Sequence, residues 1–502
     1  MTRLDCDCPM SHVKQNYLDS VFRLSQKTKI ERTEGTWNPN ETTQRVQMNI
    51  KILYPNGDEF KPTNIAVSAA RTCYFPNGLV EPSKSEGWGA KENLLSSIFE
   101  AGHHTTLQHA HFTILIDGMS RHLIWRLLHS HPYYNSEQIS QRYAKMKAEN
   151  FVYPKGGDKD AWSAYYEGVF KSYELLTEKL KIKFEEILPK FKKKEAIKKA
   201  QEFARYVLPQ GMGAYLYHTI NLTVALRYIA LIKELPEVRD EALEFVSQLS
   251  NALLEIDPSL APLIEYARGA KAGFAEFDID MLKKDKDIKD DESVKIFDVV
   301  NPYPYEVSAN YSDVLRLSNM SIDGASLGGF TSYMKLSLSA DAQNQRHRRS
   351  VAVRPSLEKI YKKEYYIPPI IAKDAELVSI YKDAMEGAYT FFESQRPKIG
   401  FGEAVYALPN AHLIEIVERS DMASFNHKAQ MRLCFNAQEE IYDIIYAQAA
   451  ELRKEGVRGA DKLLPPCTLR AENGIFPTCP EGPRFCGVKV WKIPFEGLKR
   501  EY

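Results

Sequence analysis

The sequence predicts an α+β protein made of two tandem, related halves, each a β-sheet with long helices. Short runs of alternating apolar residues stand beside long helical patterns in both halves of the 502-residue chain. Two short sequences also recur. Phe112-Thr113 returns as Phe330-Thr331, each opening a strand that leads to a helix, and Ala204-Arg205-Tyr206-Val207-Leu208-Pro209 returns as Ala404-Val405-Tyr406-Ala407-Leu408-Pro409. The offset is 218 residues at the first pair and 200 at the second. An internal duplication accounts for both, with an extra piece of about that difference in the first half, expected near 155–190.

Taken in chain order, residues 1–42 are polar and weakly patterned and read as an arm. Val46, Met48, Ile50 and Ile52 alternate, which predicts a strand over 45–54. Helical patterns follow at 65–74 and 91–101, the second stopped by Gly102, and 112–116 reads as a buried strand. Long helical patterns at 161–191 and 194–208 complete a first domain over 43–280. The stretch KKDKDIKDDESVK (283–295) is dense in charge and poor in large apolar residues, so a linker is expected over 281–298. A second domain, 299–455, repeats the plan with an alternating strand at 330–338 and helices at 375–392 and 437–452. Residues 456–502 are rich in Pro, Gly and Cys and read as a separate tail.

Composition narrows the function. Hydrophobic residues make up 44% and charged residues 26%, the balance of a globular protein. Lys+Arg and Asp+Glu number 66 each, which argues against a nucleic-acid coat. No run approaches the ~20 apolar residues of a membrane span, and the start MTRLDCDCPM lacks a signal peptide's apolar core. Seven cysteines, an odd number, argue against a secreted disulfide scaffold. A cytoplasmic protein without membrane or nucleic-acid partners is expected. GxGxxG, GxxxxGK[ST] and HExxH are all missing, so any nucleotide cofactor is held another way.

Four constellations carry chemistry. Arg346-His347-Arg348-Arg349, with Gln343 before and Ser356 after, suits a diphosphate, because guanidinium forks match phosphate oxygens; it equally suits a solvated basic helix end. Gln138 and Ser140-Gln141-Arg142-Tyr143 can grip a phosphate or a carbonyl edge, or form a helix cap with a surface arginine. Gly102-His103-His104-Thr105, with His109 and His111, clusters imidazoles but offers no carboxylate or Cys at ligand spacing, which disfavours metal there. Cys467, Cys479 and Cys486 are either reduced thiols in a folded tail or part of a zinc site whose fourth ligand is Cys6, Cys8 or a His.

These residues resemble the flavin-dependent thymidylate synthases. Arg346-His347-Arg348, seven residues and Ser356 fit that family's signature; GHHTTLQHAHFTI (102–114), SQRY (140–143), ARYVLP (204–209) and Asn221 resemble its other segments. The likeness covers 45–235 and, more weakly, 300–450. The departures are complementary. The first half shows Leu128-His129-Ser130 for Arg-His-Arg on an ungapped match, and offers Ile232 or Lys233 where the second half keeps Arg432. The second half has Glu358 and Lys359 after Ser356 and Val405 in place of Arg205.

The resemblance implies reductive methylation of dUMP to dTMP with methylenetetrahydrofolate, FAD and NADPH, at sites composed from both domains of a homodimer that imitates the family's tetramer. Arg432 and Ser140 form the implied catalytic set. Gln138, Ser140, Gln141, Arg142, Arg205, Gln343, Arg346 and Arg432 would contact the nucleotide, and His103, Thr105, Asn221, Arg346, His347 and Arg348 the FAD. A C5-methylase or hydroxymethylase of another pyrimidine nucleotide, or a non-catalytic flavin- or nucleotide-binding regulator, is the alternative.

Overall fold

The computed structural model describes residues 47–55, 61–85, 91–188, 190–271, 277–303 and 324–500. The alternation ahead of Tyr54 produces edge strand β1 (Asn49–Tyr54), and the apolar run after it β2 (His111–Ser120). Ser120 ends β2 and caps α1 (Arg121–His129), its Oγ accepting from Leu123 N. Then come β3 (Asn135–Gln138), α2 (Lys159–Ile187), α3 (Ala196–Ala204), β4 (Gly213–Asn221), α4 (Leu222–Leu231) and α5 (Arg239–Ile256). The second half repeats the order: β5 (Val294–Val300), β6 (Gly329–Ser337), α6 (Leu338–Asn344), β7 (Val351–Val353), α7 (Ala375–Ile399), β8 (Leu413–Asp421), α8 (Met422–Arg432) and α9 (Glu439–Lys454). Both sheets are antiparallel, ordered β1-β2-β4-β3 and β5-β6-β8-β7. Matching caps reinforce the duplication: Ser120 with Ser337, and Asp158 with Asp374.

The structure explains why the repeat offset drifts. β2 bulges against β4 between Ile116 and Met119, where Gly118 takes φ 76°, and β6 pairs with β8 without interruption. Beyond the bulge the copies align one residue differently. His129-Ser130-His131, rather than Leu128-His129-Ser130, therefore stands opposite Arg346-His347-Arg348. The extra piece falls at the end of 155–190 and runs beyond it. The caps Asp158 and Asp374 remain 216 apart while Tyr206 and Tyr406 are 200 apart, so the insert comprises the last turns of α2 and the 3-10 turn Lys190–Glu195 before α3. With the same spacing of 200, α8 aligns on α4 and Ile232 opposes Arg432.

Two expected boundaries change. Residues 281–298 are no bare linker. They hold the end of helix Ile279–Asp285 and most of β5, because Ile279 and Ile288 bury against Tyr333 and Val417 and Lys283 pairs with Glu415 at 2.8 Å. The tail is not separate either. Tyr446 stacks on Phe495 with ring centres 5.0 Å apart, and Tyr442 Oη donates to Leu498 O. The arm at 1–42, with Cys6 and Cys8, lies outside the described residues.

The halves are interlocked through the recurring Leu-Pro segments. Gln210 N and Gly211 N donate to Leu408 O (2.8 Å) and Tyr406 O (2.9 Å); Asn410 N and Ala411 N donate back to Leu208 O (2.8 Å) and Tyr206 O (3.0 Å). Gly211 has no room for a side chain, since a Cβ would lie 2.3 Å from Tyr166 Oη. Below this crossing each half's tyrosine completes the other half's buried glutamate. Glu241 accepts from Ser120 N, Ser120 Oγ and Tyr406 Oη, all at 2.6 Å. Glu440 accepts from Ser337 N (2.6 Å), Ser337 Oγ (2.5 Å) and Tyr206 Oη (2.9 Å). Tyr165 of α2 stacks on Phe391 of α7 at 4.3 Å, and one apolar core runs through both halves.

Burial pushes the Glu440 carboxyl up to about 7 against the pull of the Ser337 and Tyr206 donors, and burial beside Glu202 does the same to Glu439. A carboxyl raised in the folded state keeps its proton where the unfolded chain has lost it. The folded form then binds more protons between about 4.5 and about 7, so stability falls as pH rises through that window. The urea midpoint should drop between pH 5 and 8, and Glu440→Gln should flatten the drop. Tyr206→Phe should cost roughly 1–3 kcal/mol, while Tyr217→Phe, on an exposed ring, should cost little. A Tyr206→Phe variant as stable as its parent would refute the clasp.

Candidate active site

The sheet ends place two loops face to face. The turn after β3 is set by Ser140 Oγ, which accepts from Arg142 N at 3.3 Å, and the turn after α6 carries Arg346–Arg349. Between them lies a cavity of about 350 Å³ lined by Arg121, Gln138, Ser140, Gln141, Arg142 and Arg205 from the first half and Gln343, Arg346 and Arg432 from the second. Every residue expected to contact the nucleotide is in this wall, and one chain supplies all of them.

The cavity is rich in cations and short of acceptors. Arg142 Nη2 donates to Glu202 Oε2 (3.0 Å) and to Asn436 O (2.7 Å). Arg205 Nε reaches Glu202 O at 3.2 Å, Arg432 Nη2 reaches Gln343 O at 2.5 Å, and Arg121 Nη1 reaches Gln138 Oε1 at 2.6 Å. Arg346 pairs across the halves with both oxygens of Glu137, at 3.3 and 3.2 Å. Even so, Arg142 Nε, Arg205 Nη2, Arg432 Nε and Gln141 Nε2 are buried donors with no partner. Burial, then Arg142 and Arg346, push the Arg432 guanidinium down to about 9. Burial works against the Arg142 charge too, but Glu202 outweighs it and the group stands raised; Glu202, whose burial alone would raise it, is held at about 2 by Arg142, Lys199 and Arg205. Buried, unmatched donors on like-charged groups are costly, and an anion bearing several acceptor oxygens relieves that cost.

Three contributors escape a reading of motifs. Arg121 follows the cap Ser120 on a strand-to-helix turn, so its position is legible only once the strand end is fixed. Glu202 looks like an ordinary helical acid. Asn410, from the second Leu-Pro segment, donates to Gln141 Oε1 (3.1 Å) and Arg205 O (2.9 Å), so the interlock braces the cavity.

The residues expected at FAD divide into two groups. Arg346 and Arg348 line a neighbouring cavity of about 320 Å³ with Tyr134, Tyr217 and Thr219. There Arg348 Nη2 donates to Asn135 Oδ1 at 3.1 Å and its guanidinium lies 4.9 Å from the centre of the Tyr134 ring. His347 adjoins through a cavity of about 200 Å³ it shares with Arg348, its Nε2 buried and unpartnered. Flat aromatic surfaces, two guanidiniums and a spare imidazole nitrogen fit a flavin nucleotide. His103, Thr105 and Asn221 are absent from these walls. His103 and Thr105 are exposed around the 3-10 turn His104–His109, and Asn221 Oδ1 caps α4 by accepting from Val224 N at 3.0 Å.

The mirror position is filled instead. Glu237 pairs with Arg126 (3.0 Å), lies 3.2 Å from His122 Nε2 and accepts from Leu357 N (3.2 Å), while Ile232, Val405 and Glu358 replace the three arginines.

The family model described as thymidylate synthase complementing protein matches residues 58–255 and 326–455, one segment in each half and well over half of the chain. The chain belongs to this family. A flavin-dependent thymidylate synthase of Clostridium tetani is 31% identical over 215 residues, covering 41% of this chain and 83% of that protein. Another, from Pyrococcus abyssi, is 29% identical over 183 residues, 35% and 66% of the two chains. Among solved structures, the UMP/dUMP methylase PolB from Streptomyces cacaoi, bound with 5-Br dUMP, overlaps 44% of this chain and 96% of its own at 17% identity and a TM-score of 0.34. As a member of the flavin-dependent thymidylate synthases, the protein is an enzyme of the methyltransferase class that uses a flavin. Among the described residues no helix is long and apolar enough to cross a membrane.

Glu202→Gln removes the carboxylate facing these guanidiniums. Breaking a buried pair from one side costs roughly 3 kcal/mol or more, so the melting temperature should fall. Inorganic phosphate should restore more of that loss than it adds to the parent protein. Equal shifts in both proteins would rule out an anion site here.

Proposed function

We propose that the enzyme converts dUMP to dTMP, taking the one-carbon unit from methylenetetrahydrofolate and using FAD and NADPH, at one composite site per pair of halves. The observation that carries this reading is the convergence of four buried, unmatched donor atoms on a cavity to which both halves contribute arginines. Arg142 and Arg205 hold the dianionic phosphate, with Ser140, Gln138, Gln141 and Gln343 giving neutral hydrogen bonds. Arg432 stands against the uracil N3–O edge, where negative charge grows as C5 becomes nucleophilic. The residues lining this cavity include no cysteine, which favours polarisation over thiol addition to the ring. Bound flavin would supply the redox chemistry. Arg346 lines both cavities and so can orient the nucleotide against the flavin ring.

The separation of His103, Thr105 and Asn221 from Arg346–Arg348 favours a homodimer in which the two groups meet across chains, reproducing a tetramer's arrangement. Cytoplasmic nucleotide synthesis is the setting this chemistry fits.

Turnover of dUMP, compared with UMP and dCMP, tests the substrate. Arg432→Ala should lower kcat by about 10²–10³, the loss typical of one charge-stabilising donor. Arg142→Ala and Arg205→Ala should chiefly raise the KM for dUMP, and Arg348→Ala should lower flavin content. Full activity in both Arg142→Ala and Arg346→Ala would end the composite-site reading.

A further inference from the structure

Outside the nucleotide cavity, a second group of reactive side chains has no role in the reaction. Cys434, Cys467, Cys479 and Cys486 are free thiols that line a single cavity of about 160 Å³. Cys434 lies in the turn between α8 and α9, two residues after Arg432; Cys467 is on helix Pro466–Glu472; Cys479 and Cys486 flank a turn containing Pro480, Gly482 and Pro483. Each of Cys434 and Cys467 lies within electrostatic reach of the other three thiols. Four separate chain positions thus deliver sulfur to the wall of one cavity.

The setting calls for a staple. Beyond helix Pro466–Glu472 the tail has only short 3-10 turns, and such a segment has little core of its own. It nevertheless forms part of the wall behind the nucleotide cavity, because Arg142 and Arg432 line the thiol cavity too. Asn436 is the connection. Its backbone oxygen accepts from Arg142 Nη2 at 2.7 Å, and its Nδ2 donates at 2.7 Å to Arg484 O, between Cys479 and Cys486.

We propose that Cys434, Cys467, Cys479 and Cys486 form a four-thiolate centre for a thiophilic metal, either a zinc ion or an iron–sulfur cluster, that fastens the tail to the wall carrying Arg142 and Arg432. Each thiol gives up its proton to solvent as its sulfur bonds the metal. Among the described residues no three His, Cys, Asp or Glu side chains converge closely enough to share one ion as they stand. A four-iron cluster seats each thiolate on a different iron and so spans more widely spaced sulfurs than a single zinc ion does.

The test is elemental and acid-labile sulfide analysis of the full-length protein, untagged and purified without oxygen. About one zinc, or about four iron with four sulfide, per chain is expected, and the two results distinguish the centres. Cys434→Ser and Cys479→Ser should each lose most of the metal, and Cys73→Ser, at an exposed site, should keep it. Should the variants fail to fold, thiol titration of the parent decides: a mercurial should expose four extra thiols while releasing the metal. Metal below about a tenth per chain with all four thiols freely reactive, the four thiols found as two disulfides, or metal fully retained in Cys434→Ser, would overturn the proposal.

Discussion

The crossing of residues 206–211 with 406–411 is the constraint on which the rest depends. Two copies of a small sheet-and-helix unit each leave a Ser–Glu pair short of a donor, and each copy's tyrosine supplies what the other lacks. Buried carboxylates short of donors are costly, so the exchange ties the folding of one half to that of the other. Function inherits this arrangement. Arg205 immediately precedes Tyr206, Asn410 directly follows Pro409, and α9, which presents Glu440 to the clasp, begins three residues after the Asn436 carbonyl that holds Arg142. Positioning the cations and holding the halves together are the same set of contacts.

Duplication alone would give two equivalent cavities, yet the halves have diverged in opposite directions. On one side arginines accumulate around the buried Glu202. On the other, the equivalent positions are Ile232, Val405 and Glu358, and Glu237 neutralises Arg126 within the wall. Val238, next in sequence, takes φ 49°, uncommon for a β-branched residue, and is held there by its amide bonding to Gly402 O at 2.8 Å. At the mirror position an acid, Glu237, stands beside Arg126 and His122, whereas the cavity around Glu202 keeps its arginines in excess.

Much of this was legible in the sequence because it rests on local signals. Alternation at Met48–Ile52, the Gly102 stop and the long apolar periodicities gave strands and helices close to their observed spans. The residues expected at the nucleotide, Gln138, Ser140, Gln141, Arg142, Arg205, Gln343, Arg346 and Arg432, came from ordered motifs, and all of them line one cavity. What stayed hidden depends on long-range packing. Lys283 made 281–298 look solvated, but a charge paired with Glu415 can sit under a sheet. A one-residue bulge at Gly118 is invisible until strand pairing reveals it, and it shifted the alignment of Arg346–Arg348. Glu202 and Asn410 carry no motif, because their importance lies entirely in what they face.

The insert and the tail, which both break the internal symmetry, lie on each other. Lys192 and Lys199, from the insert and α3, share a cavity with Phe435, Cys486, Lys499 and Arg500. Asn436 lines both this cavity and the thiol cavity, and its carbonyl holds Arg142. Lys199, half-buried, lies 3.9 Å from Glu202 and adds to the positive charge around that acid. An added segment in the first half and an added segment after the second therefore converge behind the same arginines. At the mirror position Glu237 pairs with Arg126 and accepts from Leu357 N. Both asymmetric additions thus lie behind the cavity that keeps its arginines.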